Sequence, residues 1–88
     1  MNRKKTAVIS PNMRIFENWC LSRRIARYKS NTYIDEEGEI YFFINNIDKT
    51  RGINFNEIEE TKFSHELENY DEIKESLQIR LIKYNSYE

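Results

Sequence analysis

The chain of 88 residues holds two glycines, one proline, one cysteine and one histidine, and each scarcity removes a class of protein. Cys20 has no partner for an internal disulfide. With His65 as the sole histidine, the usual nitrogen and sulfur ligands of a zinc site are missing, and no metal or cofactor is expected. A phosphate-binding loop needs glycines where the first strand meets the first helix, so that backbone N–H groups can close on an anion. That junction reads Ser10-Pro11-Asn12-Met13, and the nearby lysines precede it, so nucleotide hydrolysis by this route is excluded. No run of 18 apolar residues occurs, and Met1–Lys5 is followed by only five residues before Pro11, too few for the apolar part of a signal peptide. The expectation is a cytoplasmic protein with no membrane contact.

What is present suits one small domain over residues 1–88, with 1–4 as a flexible basic arm and 85–88 as a frayed tail. A chain this short builds a thin core that leans on large side chains, and twelve aromatic residues supply them. Ile, Asn, Lys, Tyr and Phe make up 40 of the 88 residues. All five have AT-rich codons, which points to an AT-rich genome such as that of a low-GC bacterium or one of its phages.

The formal charge of −1 conceals a polarity. Residues 1–30 carry eight Lys/Arg against the single acid Glu17, and residues 31–88 carry six against fourteen acids, giving +7 and −8. A partner responds to the field within about 8–10 Å, so these local balances matter more than the net value. Either the halves neutralise each other through ion pairs, or the molecule has one basic and one acidic side.

Hydrophobic patterning predicts the elements. Lys5–Ser10 is a short apolar strand; Ser10 then caps a helix with Pro11 at its first position, and Ile15, Phe16, Trp19 and Cys20 form its apolar stripe as far as about Arg24. Ile25–Tyr33 reads as one half-exposed edge strand. Asp35-Glu36-Glu37-Gly38 is a hairpin turn, and Glu39–Ile44 a central strand covered on both faces. Asp48–Gly52 predicts one helical turn stopped by Gly52, and Ile58–Phe63 another strand. Ser64–Asn69 reads as a loop, and Asn69 caps a final helix whose apolar face is Tyr70, Ile73, Leu77, Leu81 and Tyr84. The fold class is α/β, with α+β as the alternative: a mixed sheet of about four strands and two helices, in the order β-α-β-β-β-α.

Few residues could carry chemistry. Cys20 lies on an apolar stripe, where a thiol is a small core residue, and His65 sits in a polar loop without an orienting partner. On a strand, Glu57 and Glu59 face one side and Glu60 the other, so these three read as solvated edge acids and not a cation site. The basic half is more informative. Arg3, Lys4 and Lys5 form the arm, while Arg23, Arg24, Arg27 and Lys29 form a second cluster around Tyr28. Cations release counterions from nucleic acid, and an exposed tyrosine can stack a base.

Strand-helix-strand followed by Asp48-Lys49-Thr50-Arg51-Gly52-Ile53-Asn54-Phe55-Asn56-Glu57-Ile58 resembles a box in small phage-encoded α/β proteins. Those proteins are similar to half of a P-loop helicase or terminase core, with an Arg-Gly pair before an aromatic-acid-apolar strand. Asn56 stands where that pattern has an acid, with Glu57 one position later. The resemblance implies a Rossmann-like scaffold without its phosphate loop, which binds and does not catalyse. The expected function is therefore a small non-enzymatic protein of phage or mobile-element type. Such a protein binds, and modulates or inhibits, a host protein or ribonucleoprotein complex that handles nucleic acid or acts in defence. The acidic docking surface would be Glu57, Glu59 and Glu60. The alternative is direct binding of RNA or single-stranded DNA by the basic half; no small-molecule substrate is expected.

Overall fold

The computed structural model describes residues 3–29, 31–52 and 54–81. It is a small mixed α/β fold of five strands and two α-helices: β1 Lys5–Ile9, α1 Met13–Ser22, β2 Ala26–Lys29, β3 Thr32–Ile34, β4 Ile40–Ile44, β5 Glu57–Glu60 and α2 Tyr70–Ile79. Single 3-10 turns at Ile47–Thr50 and Ser64–Glu66 flank β5. The strand order is β2-β3-β4-β1-β5. β1 runs parallel to both β4 and β5, whereas β3 is antiparallel to β2 and β4.

The alternation of side chains along the strands divides the core in two. Val8, Tyr33 and Phe43 pack with Phe16 and Cys20 of α1. Ala7, Ile9, Ile44 and Phe55 pack with Ile73 and Leu77 of α2. The helices therefore cover opposite faces of one sheet, and β1, whose Ala7, Val8 and Ile9 are fully buried, is its innermost strand. Each large side chain buried this way contributes about 1.5–3 kcal/mol.

Helix α1 begins two residues later than its sequence signals indicate. Asn12 is the cap, its side-chain oxygen accepting the Ile15 N–H at 2.9 Å, while the Ser10 hydroxyl donates to the Asn12 carbonyl at 3.1 Å. An amide and a hydroxyl two positions apart competed for the cap, and the amide took it. The helix closes with paired bonds from the Ile25 and Arg24 N–H groups to the Cys20 and Leu21 carbonyls. This is a Schellman motif with Arg24 at its left-handed position, φ 59°.

The segment expected as one strand, Ile25–Tyr33, is a hairpin of β2 and β3, turning through Asn31 at φ 60°. Asparagine tolerates that conformation through local hydrogen bonding, so no glycine marks the turn. The Asp35–Gly38 turn forms as expected: Asp35 accepts the Glu37 and Glu39 N–H groups at 2.9 and 3.0 Å, and Gly38 has φ 84°. The strand expected over Ile58–Phe63 is Glu57–Glu60, because Phe63 turns left-handed at φ 63° and breaks the extended run. Asn69 does precede α2, but its side chain makes no capping bond. The helix ends at Ile79, and Leu81 leaves it to bridge Phe55. Tyr84 and the tail over 85–88 lie outside the described residues.

Candidate functional site

The sequence-predicted basic residues do not gather into one patch. Arg3 lies alongside Gly38, its guanidinium carbon 3.6 Å from where a side chain at that glycine would begin. Lys4, expected in a flexible arm, is held between Glu39 at 3.6 Å and Glu57 at 3.2 Å, and its carbonyl accepts the Ile40 N–H. Partial burial alone would lower the Lys4 pKa, but these two carboxylates outweigh it and raise it. Lys5 is exposed, its N–H donating to the Asn56 side chain at 2.8 Å. Arg24 lies 3.5 Å from Glu36. The two charge-rich halves thus meet through ion pairs at Lys4 and Arg24.

On β2, Arg27 pairs in register with Tyr33 and Lys29 with Thr32, so Tyr28 is the extra residue of a bulge. Cross-strand partners share a face, and Tyr33 and Thr32 alternate. The bulge therefore sends Arg27 and Lys29 to opposite faces despite their spacing of two. Tyr28 is 64% exposed, with the Lys29 ammonium 5.7 Å from its ring centre. Tyr33 is core: its ring meets Phe16 edge-on at 4.8 Å, and its hydroxyl donates to the Met13 sulfur at 3.5 Å.

On β5 the expected division of acids is present. Glu57 and Glu59 are exposed and pair in register with Thr6 and Val8, while Glu60 pairs with Ile9 and faces α2. Glu60 is not the solvated edge acid expected of it. It accepts the Ser64 hydroxyl at 2.8 Å and the Tyr70 phenol at 2.8–2.9 Å, and lies 3.0 Å from the Lys74 ammonium. Partial burial pushes the Glu60 carboxyl up, but the hydrogen bonds from Lys74, Ser64 and Tyr70 outweigh this and hold it below the usual carboxylate range.

Cys20 is a core residue. Burial, reinforced by the Glu17 charge, pushes its thiol up to about 12. His65 is exposed. Asp35, Glu37 and Glu39 bring carboxylate oxygens within 4.8 Å of one another. The Asp35 oxygens already accept the bonds that shape the turn, including one from the Tyr41 phenol at 3.0 Å.

A groove missed by the sequence reading lies between α1 and the chain leaving β5, and encloses about 580 Å³. One wall is the α1 face bearing Ile15 and Trp19, with Arg23 at the helix C-cap; opposite stand Lys62 and Phe63. The Arg23 guanidinium stacks on the indole 4.2 Å from its centre, and is steadied by the Trp19 carbonyl at 3.4 Å and the Ser22 hydroxyl at 3.2 Å. Phe63 is 49% exposed in its left-handed conformation, which costs a non-glycine residue about 1–2 kcal/mol. Ring burial does little to offset that cost. The spacing of Trp19 and Arg23 could have marked one wall, but nothing in the sequence joins it to residues about forty positions away.

No protein-family model, curated protein or solved structure matches this chain.

Proposed function

We propose that the chain is a small non-enzymatic docking protein, of phage or mobile-element type, that binds and modulates or inhibits a host nucleic-acid-handling or defence complex. The observation that carries this reading is the separation of charge onto the two outer strands of one sheet. β5 presents Glu59, and Glu57 shared with Lys4; β2, four strands away, presents Arg27 and Lys29 on opposite faces. Such a dipolar sheet orients a partner of complementary potential before contact. The ion-paired state of Lys4 and Arg24 weighs against nucleic-acid binding by the basic half as one surface.

The test is affinity capture of the host complex with two variants. Glu57→Gln with Glu59→Lys neutralises and reverses the acidic edge without placing a second cation beside Lys4. Arg27→Glu with Lys29→Glu reverses the basic one. Loss of capture with one pair and retention with the other supports docking through that edge. Retention through both sinks charge-led docking. Glu60 stays unchanged because its carboxylate ties β5 to α2.

A further inference from the structure

We infer that the groove between α1 and the chain leaving β5 holds one nucleotide unit of a single-stranded nucleic acid, its base on the Phe63 ring and its phosphate on Arg23 and Lys62.

Three observations converge on this ligand. First, the groove combines flat π surface with positive charge. Phe63 offers a half-exposed ring, and Arg23 offers a guanidinium plane held over Trp19, a surface on which bases also stack. Second, its cations are available. Lys4, Arg24, Arg51 and Lys74 each lie within ion-pair distance of a carboxylate. Among the described residues, Arg23 and Lys62 share with Arg14, Lys49 and several other cations the lack of such a partner, and the hydrogen bonds and ring contact of Arg23 go to uncharged groups. Glu60 also lines the groove, but its carboxylate oxygens are directed to Ser64, Tyr70 and Lys74. Third, Phe63 holds an exposed ring at a backbone angle that disfavours any side chain, the kind of local strain found at binding sites.

The combination selects among ligands. An acidic peptide would use the cations and leave the rings idle, whereas an apolar helix would cover the rings and bury Lys62. A nucleotide uses both, and a volume of about 580 Å³ falls in the ordinary range for a ligand cleft. This inference stands apart from edge docking, since neither β2 nor the Glu57 and Glu59 side chains enter it.

The test is fluorescence anisotropy with a labelled six-nucleotide oligouridylate and its oligothymidylate counterpart at low salt, using the full chain. Binding should weaken steeply as salt rises. Lys62→Glu and Phe63→Gly should each raise the dissociation constant at least tenfold; the glycine removes the ring and also relieves the backbone, so folding is preserved and circular dichroism checks it. Arg51→Gln, which removes an exposed cation outside the groove, should bind nearly as the parent does. Trp19, the sole tryptophan, should change its emission as Arg23 engages the phosphate. No binding at low salt, or undiminished binding by both groove variants, would overturn the proposal. So would competition by uridine monophosphate equal to that of the oligomer, which would make the occupant a free nucleotide.

Discussion

The Tyr70 phenol lies 2.9 and 2.8 Å from the two carboxylate oxygens of Glu60, and so joins the last strand to the last helix. The Glu60 carboxyl is held below its usual range, so its contribution to stability is present above about pH 4.3 and is lost as pH falls through the lower, folded-state value. Glu60→Gln should remove that part of the acid dependence. At pH 7 it should cost about 1 kcal/mol, a figure reduced by the partial exposure of the site. Urea unfolding at pH 7 and pH 3 measures both; equal losses at the two pH values would show that the charge is not what matters.

Leu77 is fully buried beneath the sheet, whereas Ile79 is 77% exposed on the same helix. Leu77→Ala should destabilise by roughly 2–4 kcal/mol through the cavity it opens. Ile79→Ala should stay within about 0.5 kcal/mol. Chemical denaturation of the two variants checks which face of α2 is packed.

Arg24 occupies the left-handed position after α1 that glycine fills most readily. Its ion pair with Glu36 joins side chains that are 80% and 69% exposed, so it contributes little. Arg24→Gly should therefore stabilise the fold by about 0.5 kcal/mol, the relief of backbone strain exceeding the added chain entropy. A melting temperature at or below that of the parent would show that the arginine holds the turn in another way.

The Cys20 thiol, pushed up to about 12 by burial, stays protonated at neutral pH. Native protein should react with a thiol-specific disulfide reagent only through opening of the structure, and fully and fast in denaturant. Because the raised pKa favours the protonated thiol in the fold, stability should decline as pH rises above about 8.5, where the unfolded thiol ionises. Rapid labelling of folded protein at pH 7 would contradict the buried placement.

The readable parts of this fold were those with strong local signals. The stripe through Ile73 and Leu77, the stripe through Phe16 and Cys20, the Asp35–Gly38 turn and the apolar run of β4 all stand where periodicity and turn chemistry place them. Left-handed backbone at residues other than glycine leaves no such local signal. Asn31 splits an expected strand into a hairpin, and Phe63 ends β5 early. The division of Glu57 and Glu59 from Glu60 was legible because strand alternation is local. The bonds that occupy Glu60 were not, since Tyr70 and Lys74 reach it only through the packing of α2. The same holds for the groove, whose two walls are adjacent in space and remote in sequence.

The innermost strand is also the first, and its neighbours on the two sides are Ile40–Ile44 and Glu57–Glu60. During synthesis, β1 and α1 emerge before β4 and β5, the two strands that flank β1. The β2–β3 hairpin can form locally, but β1 must wait for β4 and then β5 before both its edges are paired, and α2 covers the second face later still. Such long-range parallel pairing makes folding slow relative to a helical chain of this length and leaves the apolar run of Ala7, Val8 and Ile9 uncovered in the meantime. The charges on both outer strands then discourage unwanted pairing while the centre assembles, so that the features proposed to select a partner also protect the nascent chain.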